Sequence, residues 1–93
     1  MNSATNESIK FLAKVLIKNM GKNPREVISY PSINNVLELR LGATSSLINY
    51  AITSLEASGY TIERRGAGER GEDLGQCLTA KGRRIAAKMR GER

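Results

Sequence analysis

The sequence predicts a small α+β domain built from a helix-turn-helix, a two-stranded β-hairpin and a last helix. Over residues 9–58, apolar side chains recur every three or four positions, which is the spacing of helices packed on a core. After Tyr60 the period changes to two, as in strands, and residues 65–73 between the two candidate strands are rich in glycine. The 93 residues contain no long linker and indicate one domain, 1–93.

The first predicted helix has a broad apolar stripe. Ser3 or Thr5 is expected to cap its start, and Gly21 is expected to end it in a left-handed conformation. The stripe comprises Ile9, Leu12, Ala13, Leu16, Ile17 and Met20, with Phe11 and Val15 at its edges. Another face carries cations four residues apart, namely Lys10, Lys14 and Lys18. This row indicates either a solvated surface or a contact with phosphates or acidic groups of a partner.

A helix-turn-helix is predicted after residues 23–30, which themselves favour one helical turn or a short strand. Ser32 is expected to cap the second helix, Gly42 to end it, and Thr44 to cap the third helix, which ends at Gly59. The inward positions of the second helix are Ile33, Val36, Leu37 and Leu41. Those of the third helix are Ile48, Ala51, Ile52 and Leu55.

The outward face of the third helix is polar but uncharged. It is formed by Ser45, Ser46, Asn49, Tyr50 and Thr53. These short or planar side chains can donate and accept hydrogen bonds, so such a face can contact base edges. A plain solvated helix has a similar composition, and the rest of the chain has to distinguish the two interpretations.

The hairpin and the last helix follow from the change of period. A strand begins at Tyr60, an exposed loop spans residues 65–73, and a return strand covers Leu74–Leu78. Thr79 is expected to cap the last helix. The inward positions of that helix are Gly82, Ile85, Ala86 and Met89.

The charge distribution favours a polyanionic partner. The formal net charge is +6, and the positive charge is concentrated in residues 1–30 and 81–93. A basic domain fits nucleic acid, although some proteins are basic for solubility alone. A single cysteine excludes an internal disulfide, and no apolar run approaches the length of a membrane span. We therefore expect a cytoplasmic protein, nucleoid-associated or, if viral, in the cytoplasm of the host.

Residues Leu37–Gly82 resemble the winged-helix DNA-binding domain. The glycine turn, small polar cap and apolar anchors of that family correspond to Gly42, Thr44 and the inward face of the third helix. The motif Leu-Glu-x-x-Gly-Tyr occurs at Leu55–Tyr60, and Leu-Thr-x-x-Gly occurs at Leu78–Gly82. The latter pairing is similar to MarR-type and related small prokaryotic or viral regulators.

The resemblance implies a winged helix, with a three-helix core, a two-stranded wing and a C-terminal helix. It implies sequence-specific binding of double-stranded DNA by a small transcriptional regulator. The helix at about residues 44–58 would enter the major groove, and the wing at about residues 64–73 would contact the backbone or minor groove. The DNA-binding residues would be Thr44, Ser45, Ser46, Asn49, Tyr50, Thr53, Arg64, Arg65 and Arg70.

Related regulators dimerise through their terminal helices, so a homodimer through the first and last helices is expected. Two alternatives to an operator-binding regulator are open. The same fold can bind DNA in plasmid or phage partition or replication. It can also act as a protein-interaction module, which the absence of Lys and Arg from the third helix favours.

Other functions have weaker support. Residues 66–71 spell G-x-G-x-x-G but lead into a strand, whereas a dinucleotide site needs this loop to open a helix. There is no histidine, no paired-cysteine metal spacing and no apparent base for a serine, so we expect neither an enzyme nor a cofactor. Cys77 is interpreted as a packing residue, with a redox role as the alternative.

Overall fold

The computed structural model describes residues 3–66 and 74–91, which form an α+β arrangement of four helices and a three-stranded antiparallel sheet. The helices are α1, Ser3–Met20; α2, Tyr30–Asn34, which continues as a π-helical segment, Asn35–Leu39; α3, Ser45–Ala57; and α4, Ala80–Met89. The strands are β1, Ile28–Ser29; β2, Thr61–Arg65; and β3, Leu74–Leu78. The predicted order of elements is confirmed, and of the two alternatives for residues 23–30 the short strand is present as β1.

The core lies between α1, α2, α3 and the base of the sheet. All four predicted inward residues of α3 are buried, and so is most of the stripe of α1: Ile9, Leu12, Leu16, Ile17 and Met20. Phe11 was expected to widen that stripe, but 55% of its surface is exposed. At about 100° per residue, position 11 falls on the side of the helix opposite Ile9 and Leu16. Val15 lies at the edge of the core, as expected.

The second helix begins earlier than predicted. Ser29, not Ser32, is its N-cap: the Ser29 hydroxyl accepts a hydrogen bond from the Ser32 N–H at 3.4 Å. Pro31 therefore stands in the first turn, where its missing N–H costs nothing. The π-helical segment places an extra residue in its turn, which rotates the residues that follow it. Leu41, predicted to point inward, is consequently 43% exposed.

The predicted turn between the second helix and α3 is confirmed. Gly42 has a left-handed conformation, with φ of 68°, that non-glycine residues rarely adopt. Its N–H donates to the Glu38 carbonyl, and the next N–H donates to the Leu37 carbonyl, so the end of the helix is satisfied. The Thr44 hydroxyl then caps α3 by accepting the Leu47 N–H at 3.3 Å.

The sheet has the order β1-β3-β2, so the prediction of a two-stranded hairpin was incomplete. β2 and β3 pair from Thr61 and Leu78 at the base of the hairpin to Arg65 and Leu74. On the other side of β3, Ile28 pairs with Gln76 and Ser29 pairs with Gly75. A Cβ atom at position 75 would overlap the backbone of Ile28, so glycine lets β1 approach.

The motif Leu-Thr-x-x-Gly fixes α4 to the corner where α3 meets β2. The Thr79 hydroxyl accepts the Gly82 N–H at 3.0 Å and donates to the Gly59 carbonyl at 2.6 Å. A Cβ atom at position 82 would overlap the carbonyl oxygen of Tyr60. The predicted cap and the predicted inward position of Gly82 are both confirmed.

The role predicted for Gly21 was wrong. Among the described residues, the glycines with positive φ are Gly42, Gly59 and Gly91. Gly21 instead allows the end of α1 to pack closely on α4, because a Cβ atom there would lie 3.0 Å from the Ala86 Cβ.

Candidate nucleic-acid interface

The predicted reading face of α3 lies on the surface. Ser46, Asn49, Tyr50 and Thr53 are exposed, and the last three lie three, four and seven residues after Ser46. This spacing places them in one stripe along the helix. Thr44 and Ser45 are exposed at the N-terminal end of the helix. The structure thus brings together all six predicted residues of the helix-turn-helix.

The stripe offers hydrogen bonds but no charge. Its amide and hydroxyl groups suit base edges: an asparagine side chain can pair with adenine through two hydrogen bonds, and serine or threonine can serve several partners. Tyr50 is 50% exposed, so its ring can add apolar contact area. The only charged residue of α3 is Glu56, whose carboxylate accepts a hydrogen bond from Gln76 Nε2 at 3.2 Å. Any attraction of phosphates would have to come from other elements.

Arg64 and Arg65 lie on opposite faces of the hairpin. Successive side chains of a strand alternate between faces, and paired residues share a face. Gln76 contacts Glu56 of α3 and pairs with Glu63, so Glu63 and Arg65 lie on the face turned towards α3. Arg64 lies on the other face. Both arginines were predicted to contact DNA, and of the two only Arg65 lies on the face of the hairpin turned towards α3. Arg70 lies outside the described residues.

A buried glutamine joins α3, the sheet and the start of α2. Gln76 is 0% exposed, and its Nε2 donates to Glu56 and, at 3.0 Å, to the Tyr30 hydroxyl. The Tyr30 hydroxyl in turn donates to the Glu63 carboxylate. Burial, together with this bond to Glu63, raises the pKa of Tyr30 above its ordinary value of 10.0. Among the described residues, Gln76 Oε1 and Thr61 Oγ1 are buried without a hydrogen-bond partner.

This cluster was not recognised in the sequence. The segment LGQCL has the composition of a strand, and its central glutamine is an ordinary residue for a solvated face. The available signal was the period of two, which places Gln76 between Leu74 and Leu78 on one face of the strand.

The lysine row of α1 borders two separate grooves. Lys10 and Lys14 line a groove of about 270 Å³ between α1, the end of α3 and α4. Lys18 lines another, of about 310 Å³, with Lys22 and Arg40. Neither groove includes the stripe on α3. The lysine row therefore borders grooves that do not include the exposed stripe of α3.

Cys77 is half-buried on the same face of the hairpin as Arg64, since it pairs with Ile62, next to Arg64. Its thiol lies 3.6 Å from the Leu78 carbonyl. Within residues 3–66 and 74–91, no helix is long and apolar enough to cross a membrane. The same ranges contain no group of three histidine, cysteine or acidic residues that could hold a metal ion.

The structure fits the class of winged-helix-like α+β folds. It has a helix-turn-helix, a hairpin behind it and a C-terminal helix packed on the first helix. The solved structure of SSV1 F-93, a small viral protein, is similar to this chain, with a TM-score of 0.67. The match covers 86% of this chain and 82% of the F-93 chain, with 21% sequence identity, and it concerns the fold. No protein-family model and no curated protein matches the sequence.

Proposed function

We propose that this protein is a binding protein without catalytic activity that recognises specific sites in double-stranded DNA, as a small transcriptional regulator. The observation that carries the proposal is the exposed, uncharged stripe of α3, which follows directly on the turn at Gly42–Thr44. A helix presented in this way can lie in the major groove. The stripe would select bases, while Arg65 and the basic ends of the chain would attract phosphates.

The stripe is tested by Asn49→Ala. Loss of a two-bond contact to a base should lower the ratio of specific to random DNA binding roughly tenfold to a hundredfold. The operator would first be selected from genomic fragments, and both affinities would then be measured at about 0.1 M salt, where weak ionic binding is screened. Ser54→Ala is the matched control, because Ser54 is exposed on α3 outside the stripe. An unchanged ratio in Asn49→Ala would sink specific reading by this face.

The two neighbouring arginines provide a second comparison. Arg65→Ala should weaken specific and random binding alike and reduce the salt slope by about one unit, as expected for a phosphate contact. Arg64→Ala should change both affinities much less, because Arg64 lies on the face turned away from α3. Equal effects of the two variants would show that the duplex does not approach from the side of α3.

We also propose a homodimer that uses the first and last helices, with α1 at its centre. The exposed residues of α4 include Lys81, Arg84 and Lys88, which would bring like charges together if two copies of that face met. α1 instead exposes Phe11, beside Leu41 in an open groove of about 510 Å³. A two-fold dimer would present two α3 helices to two half-sites.

A second candidate function is a protein-interaction module that uses the same face of α3. It is favoured by the lack of any cation on that helix, because most non-specific affinity for DNA comes from phosphate contacts. If this alternative holds, no genomic fragment should be selected. A role in partition or replication would instead select repeated sites with a fixed spacing.

A further inference from the structure

Three arginines from distant parts of the chain meet in one groove on the outer face of the sheet. The groove has a volume of about 440 Å³. Arg25 comes from the connection before β1, Arg64 from β2 and Arg83 from the first turn of α4. Its apolar wall is formed by Ile62, Cys77 and Ala80.

No carboxylate of the described residues lines this groove. The first turn of α4 contains Lys81 and Arg83 and no acidic residue. Cations are disfavoured there, because the N-terminus of a helix carries a partial positive charge. Lys81 and Arg83 donate hydrogen bonds to the carbonyls of Ser58 and Leu78, but these contacts do not neutralise their charge. A bound anionic group would relieve the remaining repulsion.

The groove is separate from the proposed DNA-reading surface. Arg64 and Ile62 alternate with Glu63, which lies on the face turned towards α3. Arg64 therefore lies on the face of β2 opposite Arg65, and no residue of α3 lines the groove.

The lining favours an acidic peptide over a second stretch of DNA. Arginine pairs with carboxylates through two parallel hydrogen bonds, and clusters of arginine are a recurring means of binding acidic segments. Ile62 is 46% exposed and borders the three cations. A sugar–phosphate backbone offers only the C–H groups of deoxyribose to that wall, whereas a peptide can place a whole aliphatic side chain there.

One arginine is already held in place. Arg83 Nη1 donates to the Leu78 carbonyl at 3.3 Å, which directs its guanidinium across the end of β3. Arg25 and Arg64 are exposed and can close on a ligand from the two sides. A partly fixed cluster loses less side-chain entropy on binding than three free arginines would.

We infer that this groove, defined by Arg25, Arg64 and Arg83, binds an acidic segment of a partner protein that carries an aliphatic residue. The binding is independent of DNA recognition. The protein can thus hold a partner on one side of the hairpin while α3 faces the other way.

The test uses the full chain and a short fluorescent peptide of glutamates around one leucine. Arg25→Gln combined with Arg64→Gln should weaken peptide binding about tenfold, since two charge-assisted contacts are lost. Arg40→Gln combined with Arg84→Gln removes the same charge from exposed positions that do not line the groove, and should leave binding nearly unchanged. Amide NMR shifts should appear at Ile62 and Cys77 and not at Asn49.

Three outcomes would overturn the inference. Equal weakening by both double variants would mean general charge attraction. A loss of random-duplex binding in Arg25→Gln with Arg64→Gln, without a loss of peptide binding, would assign the groove to DNA. Replacement of the peptide's leucine by serine should weaken binding severalfold, and no effect would contradict the role of Ile62. None of these results depends on Asn49, so failure of specific DNA recognition remains distinguishable.

Discussion

Gly82 is required for a tertiary contact although glycine is unfavourable within a helix. In a helix, alanine is favoured over glycine by about 1 kcal/mol. The α4 helix nevertheless needs glycine here, because a side chain would overlap the Tyr60 carbonyl at the corner between α3 and β2. The motif Leu-Thr-x-x-Gly is thus explained by two contacts with that corner, the Thr79 hydroxyl on Gly59 and the bare Cα of Gly82 on Tyr60.

Gly82→Ala should therefore destabilise the protein despite the better helix propensity. The expected loss is about 1–3 kcal/mol, as for other overpacked sites. Chemical denaturation of this variant is compared with that of Arg84→Ala, an exposed change in the same helix, which should shift the midpoint little. A stabilised Gly82→Ala would mean that α4 does not approach Tyr60 this closely.

Tyr30 is expected to make the free energy of unfolding decrease at alkaline pH. Its pKa is raised in the folded protein, so the folded state holds this proton more tightly than the unfolded chain does. The contribution to the free energy of unfolding is complete below the ordinary pKa of 10.0 and is lost as pH rises through the higher folded value. Tyr30→Phe should cost about 1–2 kcal/mol near neutral pH, because two hydrogen bonds are lost.

The same variant should flatten the decline in stability above about pH 10, where the tyrosine proton is lost. The measurement is denaturant unfolding over a pH series for wild type, Tyr30→Phe and Tyr50→Phe. Tyr50 is an exposed residue of α3 and serves as the control. If the stability of wild type and Tyr30→Phe declines in parallel above about pH 10, Tyr30 is not the cause of the alkaline decline.

At the level of elements, the helices of the core followed from the sequence because their evidence is local. The periodicity of α3, its Thr44 cap and the Gly42 turn all lie within a few residues of one another, and all three predictions are confirmed. β1 contains two residues, too few to show a period, and it exists because Gly75 of a distant strand lets it approach. Leu41 was misplaced because the preceding π-helical segment breaks the helical period.

The candidate site likewise has parts that local sequence predicts and parts that depend on distant residues. The stripe of α3 is a property of one helix and was predicted from spacing alone. The separation of Arg64 from Arg65 follows from the alternation along β2. Which of the two faces α3 depends on contacts across the sheet, where Gln76 pairs with Glu63 and contacts Glu56. The groove formed by Arg25, Arg64 and Arg83 joins residues far apart in the chain, so no local pattern marks it.

Replacement of Gln76 is expected to shift the position of α3 while changing the free energy of unfolding only slightly. Gln76→Met nearly keeps the volume and removes a buried carbonyl oxygen that has no partner among the described residues, which offsets the lost bonds to Tyr30 and Glu56. Stability should change by less than about 1 kcal/mol, but the ratio of specific to random DNA binding should fall severalfold.

The control for Gln76→Met is Cys77→Ala, on the opposite face of the same strand. It should leave the binding ratio unchanged. Hydrogen exchange of the α3 amides provides a second measurement, and faster exchange is expected in Gln76→Met only. A large loss of stability with an unchanged binding ratio would assign Gln76 a purely structural role.

At the scale of the whole molecule, three surfaces have different characters. The stripe of α3 is polar and uncharged, the outer face of the hairpin is basic, and the exposed side of α1 is apolar at Phe11. The three surfaces are formed by different sets of exposed residues, although Leu47 of α3 also lines the groove beside Phe11. The proposed assembly therefore has DNA at α3, a partner at the hairpin and a second copy at α1.

The homodimer is tested by Phe11→Ser. Phe11 is largely exposed, so its replacement should leave the stability of the monomer nearly unchanged while removing apolar area from the interface. The mass from light scattering at tens of micromolar should change from dimer to monomer, and specific DNA affinity should fall because two half-sites are no longer bound together. Leu39→Ser is the matched control, because Leu39 is 78% exposed and does not line the groove beside Phe11. A monomeric wild type, or a Phe11→Ser variant that remains dimeric, would contradict an interface centred on α1.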